Sequence, residues 1–323
     1  MILVTGRGYG LAVARMCAVA AVLAVIGCSG AKNSTETAEW RRLADAPSAR
    51  TEVAAAVLGE RIYVIGGFSV DRATVPRVEV YDRSADSWME GPPLPVALNH
   101  AMAASLDGGV YVVGGYDGPG LGNPSARAFV LRGARWEALP PMPEPRAAGG
   151  VAALDGKLYV AGGVGADGLA SSTLVYDAGR GRWEKAPGLR VPREHLGVAS
   201  DGARVFAVGG RTGEGNLTAA EAFDPVIGAW TRLPDMPTPR GGIAAAAAAG
   251  LVVAVGGESD SGTFDEVEAF DVRREEWRRL PPLPTARHGL GVVAVGDVVY
   301  ALAGGPEPGF AFSAANEALE LSG

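Results

Sequence analysis

The sequence predicts an all-β fold, a six-bladed β-propeller of four-stranded blades with the last blade closed by the N-terminal strand, and three residue ladders carry that expectation. Trp40, Trp88, Trp136, Trp183, Trp230 and Trp277 recur at intervals of 48, 48, 47, 47 and 47 residues. Glycine pairs recur at 66/67, 114/115, 162/163, 209/210, 256/257 and 304/305. Arg50, Arg146, Arg193, Arg240 and Arg287, with Leu98 in the vacant place, each follow a tryptophan by ten residues. A repeat of this length with four short strands is the unit of a propeller blade, which buries its faces only by stacking on neighbours.

Within each repeat the elements follow in a fixed order. Small residues come after the arginine (Ala54 to Val57, Ala101 to Ala104, Ala147 to Ala153), as the innermost strand requires where blades crowd an axis. A glycine turn such as Asp155-Gly156 leads into an apolar second strand, Ile62-Tyr63-Val64-Ile65 in the first copy, which stops at the glycine pair. The third strand carries Val80-Tyr81-Asp82, Val175-Tyr176-Asp177, Phe223-Asp224 or Phe270-Asp271, seven residues before the next tryptophan. The fourth holds the tryptophan and runs into a proline-rich loop. From arginine to glycine pair is sixteen residues except in the last copy, where seventeen predict a bulge within Tyr300-Ala301-Leu302-Ala303. The chain opens with a lone tryptophan strand and closes with three strands lacking one, so the two ends complete one blade and leave no open edge.

The succession of Arg, Tyr-x-x-Gly-Gly, Tyr-Asp and Trp resembles the Kelch repeat over essentially all of Trp40 to Leu321. The departures are Leu98 for the arginine, Phe129-Val130 for Tyr-Asp, and Leu319-Glu320 in the last copy.

The amino terminus reads as a leader. Arg7 and Arg15 precede an apolar run from Met16 to Ile26, of signal-peptide length and short for a bilayer span. It ends in Val25-Ile26-Gly27-Cys28, which resembles the bacterial lipobox. That resemblance implies a lipoprotein signal peptide over 1–27, lipidation of Cys28, and an exported protein anchored in the membrane on the periplasmic side or the cell surface. Residues 28–39, small and polar, form a tether, and 40–321 form the propeller.

The formal charge of −7 becomes −9 without the leader, a surface that repels phosphate backbones and excludes nucleic acid as a partner. No serine-hydrolase elbow, zinc-protease helix or phosphate loop is present. Gly163-x-Gly165-x-x-Gly168 is the repeat's glycine pair plus a turn, with no helix after it. No cofactor is expected.

Residues repeated in every blade hold blades together, so the ladder arginines are expected to bond neighbouring-blade carbonyls. Function belongs where the copies differ. Antiparallel first and second strands start and end on one face, so residues after the arginine and after the glycine pair share a rim. In the Kelch family that rim commonly receives ligands. It carries Glu52, Asn99, His100, Glu194, His195 and His288 from the first set and Phe68, Tyr116, Asp117, Arg211, Glu258 and Glu307 from the second. All three histidines fall there, from alternate blades, but His288 is one place out of register, and the expectation is packing or ligand contact with no metal. The resulting reading is a non-enzymatic propeller that binds a protein or glycan in the cell envelope. The alternative is a sugar isomerase resembling the periplasmic sialic-acid (N-acetylneuraminate) epimerases, with Glu194, His195, Glu52 and Arg211 as acid and base candidates.

Overall fold

The computed structural model describes Gly10 and residues 38–321. The leader, Cys28 and the tether as far as residue 37 lie outside the described residues.

Every regular element of the described residues is a strand. Blade 1 consists of Ala54–Leu58, Arg61–Ile65, Val78–Asp82 and Ser87–Glu90 from the axis outwards, all antiparallel. The inner strands of blades 2 to 6 are Met102–Leu106, Gly150–Leu154, Gly197–Ser200, Ala244–Ala248 and Gly291–Val295. Blade 6 takes its outermost strand, Trp40–Arg42, from the other end of the chain, with Trp40 opposite Leu319 and Arg42 opposite Glu317. The ring is closed as the two incomplete ends required.

Three sets of bonds join blade to blade. The second glycine of each pair donates its N–H to the carbonyl of the next blade's ladder residue: Gly67 to Leu98, Gly115 to Arg146, Gly163 to Arg193, Gly210 to Arg240, Gly257 to Arg287 and Gly304 to Arg50, each at 2.8 Å. A Cβ at the first glycine of a pair would strike the same carbonyl, as Gly66 against Leu98 illustrates. Nearer the axis, His100 N–H donates to Glu52, Ala148 to His100, His195 to Ala148, Gly242 to His195 and Gly289 to Gly242, at 2.7–3.1 Å. Val53 N–H, 3.3 Å from the Gly289 carbonyl, completes this inner ring at the seam.

At the outer edge the indole Nε1 of Trp88, Trp136, Trp183 and Trp277 donates to the carbonyl of Ala44, Pro92, Pro140 and Pro234 of the preceding blade at 2.8 Å, and Trp40 to Pro281 at 2.9 Å. Trp230 instead reaches Thr173 Oγ1 at 2.9 Å, where the preceding outer strand runs on to Pro187.

The ladder arginines are buried as expected, but they serve their own blades. Arg50 donates to the carbonyls of Gly66 and Val64 and to Glu79 Oε2, and Arg193, Arg240 and Arg287 pair likewise with Glu221, Glu268 and Glu317 on their own third strands at 2.6–2.8 Å. The guanidinium ties one blade's strands to its loop, and the arginine backbone makes the link to the neighbour. A buried guanidinium needs several acceptors, and its own glycine-pair carbonyls are the nearest.

Two positions of the repeat also differ from the expected register. In blade 2 Leu131, not Phe129, faces its tryptophan across the outer hairpin, because that hairpin turns in two residues fewer than Asp82 to Ser87 does in blade 1. Leu131-Arg132 therefore takes the Tyr-Asp place, and the loop after Gly114-Gly115 is correspondingly longer. In blade 6 the strand pairing from Val295–Val298 to Gly291–Leu302 is regular. No bulge interrupts it: Ala303-Gly304 is the equivalent of a glycine pair, and Ala303 adopts φ +56° like the glycines it replaces.

Candidate functional site

The inner strands surround an axial cavity of about 120 Å³ lined by small residues such as Ala55, Ala103, Gly150 and Ala245. Its rim end is formed by the six residues of the inner hydrogen-bonded ring. All six have left-handed backbones, from φ +49° at His100 to φ +68° at Gly242. Two are glycine and one is Ala148. In the other three places, Glu52, His100 and His195, the chain holds a large polar side chain in a conformation that disfavours it, a pattern found at functional positions.

These side chains join one buried polar network. Glu52 Oε2 lies 3.1 Å from His100 Nε2, and Glu52 Oε1 lies 3.2 Å from His288 Nδ1. His288 Nδ1 also stands 3.5 Å from Glu258 Oε2, and its Nε2 donates to the Glu307 carbonyl at 3.1 Å. Arg211 spans the far side: Nη1 to Glu258 Oε1 at 2.8 Å, Nε to Glu194 Oε1 at 3.2 Å, and Nη2 to His195 Nε2 at 3.2 Å. The His100 and His195 rings meet edge to face, 5.0 Å between centroids.

The charge states follow from the neighbours. His288 has a carbonyl at one nitrogen and two carboxylates beside the other, 3.2 and 3.5 Å away without an aligned hydrogen bond, surroundings that favour its charged form. Burial works against that imidazolium, but Glu52 and Glu258 outweigh it and raise the pKa above the usual histidine value. Burial depresses His100 to about 4, helped by the nearby Arg211 guanidinium against the pull of Glu52 and Glu194. Burial would raise the carboxyls of Glu52 and Glu194, yet the histidines beside Glu52 hold it below the usual range, and His195 and Arg211 bring Glu194 to about 2. Three carboxylates thus face Arg211 and His288, whose charged form they favour.

Seven of the rim candidates therefore converge: Glu52, His100, Glu194, His195, Arg211, Glu258 and His288. Phe68 and Tyr116 are buried walls, edge-on to His100 at 6.0 and 5.5 Å. Asp117 faces away, paired with Arg127 at 3.6 Å. Phe310, which sequence reasoning passed over, stacks edge-on against Phe68 at 5.1 Å and lies under Arg72. Its signal is the loop after Ala303-Gly304, longer than those of blades 3 to 5.

The rim is uneven. In blades 3, 4 and 5 the segment after the glycine pair folds back as a tight hairpin, closed by the pairs Gly165–Gly168, Thr212–Gly215 and Ser259–Gly262. The longer loops of blades 6, 1 and 2, consecutive around the ring, expose Phe310 by 45%, Val70 by 67% and Leu121 by 65%. The exposed apolar side chains of the rim thus lie on the loops of blades 6, 1 and 2, with Leu169 of the neighbouring blade 3 hairpin exposed by 39% beside them.

A closed ring of six such four-stranded blades defines the class as a β-propeller. The Kelch motif matches residues 49–95, 99–143, 145–190, 192–237 and 239–284, and the chain belongs to the Kelch-repeat family. The matched segments begin with blade 1; the split sixth blade adds the remaining copy. The chain is similar to Kelch-like protein 36 of Rattus norvegicus (41% identical over 63 residues, 19% of this chain and 10% of the relative) and of Bos taurus (40% over 63 residues, 19% and 10%). It is also similar to Beta-scruin of Limulus polyphemus, 40% over 50 residues, 16% of this chain and 6% of the relative. The match thus spans a tenth or less of these relatives' length.

Proposed function

We propose that this chain is a non-enzymatic, protein-binding propeller held in the cell envelope by a lipid on Cys28, with its partner seated on the rim loops of blades 6, 1 and 2. The observation that carries the reading is the arc of Phe310, Val70 and Leu121. Three exposed apolar side chains on neighbouring loops, around a polar centre, have the make-up of a protein interface: apolar anchors beside a polar region. The short hairpins of blades 4 and 5 supply no lid, which suits binding better than sequestered chemistry. A glycan is the second ligand class. No observation favours the isomerase alternative.

The test is affinity capture from envelope extracts, with Val70→Asp, Leu121→Asp and Phe310→Asp combined. Val226→Asp with Ile227→Asp, at exposed positions on the opposite face, is the control. Loss of the captured partner with the rim variant and retention with the control is expected. The reverse would refute the rim assignment. A glycan array examines the sugar class, and faster interconversion of sugar anomers would replace binding by catalysis. Replacing Cys28 by Ser should move the protein out of the detergent phase; unchanged partitioning would rule out the anchor.

A further inference from the structure

The proton positions around His100 and His195 can be worked out from their neighbours. Asn99 Nδ2 donates to the Gly120 carbonyl at 3.2 Å and to Thr74 Oγ1 at 2.9 Å. Its Oδ1 is thereby turned to His100 Nδ1, 2.6 Å away. An amide oxygen only accepts, so Nδ1 carries the proton and Nε2 of the neutral ring presents a lone pair. That lone pair points at Glu52 Oε2, 3.1 Å off. Two acceptors face each other, an arrangement that needs a positive charge between them.

His195 repeats the pattern. Arg211 Nη2 can only donate, so His195 Nε2, at 3.2 Å, is the acceptor. Nδ1 then bears the proton and lies 3.3 Å from Glu194 Oε2 with no aligned hydrogen bond. His100 thus has a hydrogen-bonded oxygen on Nδ1 and His195 a carboxylate oxygen near its own, and each presents a lone pair on Nε2. This is the arrangement that orients histidine ligands in metal sites, where the second nitrogen is fixed by a carboxylate or carbonyl. His288 differs: both its nitrogens face oxygens, so it has no lone pair to give.

We propose that Glu52, His100 and His195 form a binding site for one divalent transition ion of the zinc class, at the rim end of the axial cavity. One donor atom from each lies within 4.8 Å of the others. Bonds of about 2.0–2.1 Å place tetrahedral donors about 3.4 Å apart, within reach of small side-chain rotations. Two imidazoles and a carboxylate suit zinc, iron or nickel, whereas magnesium and calcium prefer all-oxygen sites. The ion supplies the positive charge missing between Glu52 and His100 and offsets the surplus carboxylate of the network. Arg211 gives up its contact to His195 and keeps those to Glu194 and Glu258. The ring backbone accounts for the residue choice: the three left-handed positions filled by large polar side chains are the three donors.

The experiment uses the purified full-length chain, stripped with a chelator. Zn²⁺ is titrated by calorimetry, Co²⁺ by absorption. One equivalent of Zn²⁺ should bind, with affinity falling at least ~100-fold in each of Glu52→Gln, His100→Gln and His195→Gln, larger than the 10–100-fold typical of supporting residues. Mg²⁺ should not compete. Imidazole ¹⁵N spectra of the unaltered protein serve if a variant fails to fold: Nε2 of His100 and His195 should shift with Zn²⁺, and His288 should not. The proposal fails if the chain takes up no ion stoichiometrically, or if all three variants bind as the parent does. It also fails if a thiolate-to-cobalt band places the ion on Cys17 or Cys28, or if His100 is doubly protonated at neutral pH, a proton then filling the gap.

Discussion

Leu98 and Phe129 occupy in blade 2 the places that Arg240 and Glu268 hold in blade 5. Both lie in one buried apolar cluster, so an ion pair has been replaced as a unit by a hydrophobic pair of comparable bulk. A buried pair can be exchanged this way with little loss, whereas removing one partner strands a charge.

Leu98→Arg alone should therefore destabilise the protein by about 3–5 kcal/mol, the range for an uncompensated buried charge. Adding Phe129→Glu should recover part of that loss, with a coupling of about 1–3 kcal/mol between neighbours. Denaturant melts of the two single variants and the double variant measure it. Additive effects would show that the two positions are not an exchanged pair.

Removal of the strand Trp40–Arg42 should cost more than trimming an ordinary edge. It strips the Glu317–Leu319 backbone of its partner and loses the Trp40 bond to Pro281. A chain beginning at Leu43 is expected to melt well below the parent and to aggregate, since an exposed strand edge recruits other chains. Equal melting temperatures would refute closure by the terminal strand.

Stability should peak near neutral pH. His100 titrates in the folded protein at about 4, below the 6.5 of a free imidazole. Between those values the unfolded chain binds more protons, so stability falls as pH drops from 6.5 towards 4. Glu194, held at about 2 in the fold, adds a further loss below the usual carboxylate range. His288 works the other way: its raised value gives stability that is complete below 6.5 and lost as pH climbs through the folded value. Glu52, Glu194, His195 and Arg211 face His100, and Glu52 and Glu258 face His288, so both slopes belong to the network. Melting curves across pH, with chelator present, should lose the acid slope between 6.5 and 4 in His100→Gln and the alkaline slope in His288→Gln. Unchanged slopes would contradict the assigned charge states.

Ala303→Gly should leave stability unchanged or raise it by up to about 1 kcal/mol, because a glycine relieves the left-handed backbone there. A loss above that size, read from thermal melts, would mean that Ala303 is not the blade-6 counterpart of Gly66.

Blade number, strand order and closure were legible because tryptophan, glycine and arginine each do one geometric task per blade, and the task repeats. What misled was spacing used as a proxy for register. Between Trp88 and Trp136 a longer rim loop and a shorter outer hairpin cancel, so the interval of 48 hides both. The sequence places the last glycine pair at 304/305 because Ala303 does a glycine's work without being one. At the site, sequence brought the three histidines to one rim but could not order them. The one-place offset of His288 turns it outwards to Glu258 and Glu307, and Glu52 takes the axial place. Only the ring of left-handed residues, invisible in residue types, shows which side chains share the axis.

Gly289 ends the inner ring where a Cβ would come within 2.5 Å of Glu52 Oε1. Blade 6 is bare at that point because blade 1 leans over it. Copies of one repeat are in this way dependent on which copy stands beside them. Cutting the ring open between any two blades and rejoining the old ends would leave every neighbour in place, and with it the polar centre. Putting blade 2, 3 or 4 in the place of blade 6 would preserve each fold unit while setting Glu52 against His100, Ala148 or His195, each of which carries the Cβ that Gly289 lacks. The order of the blades, and not only their number, is what the centre of this molecule records.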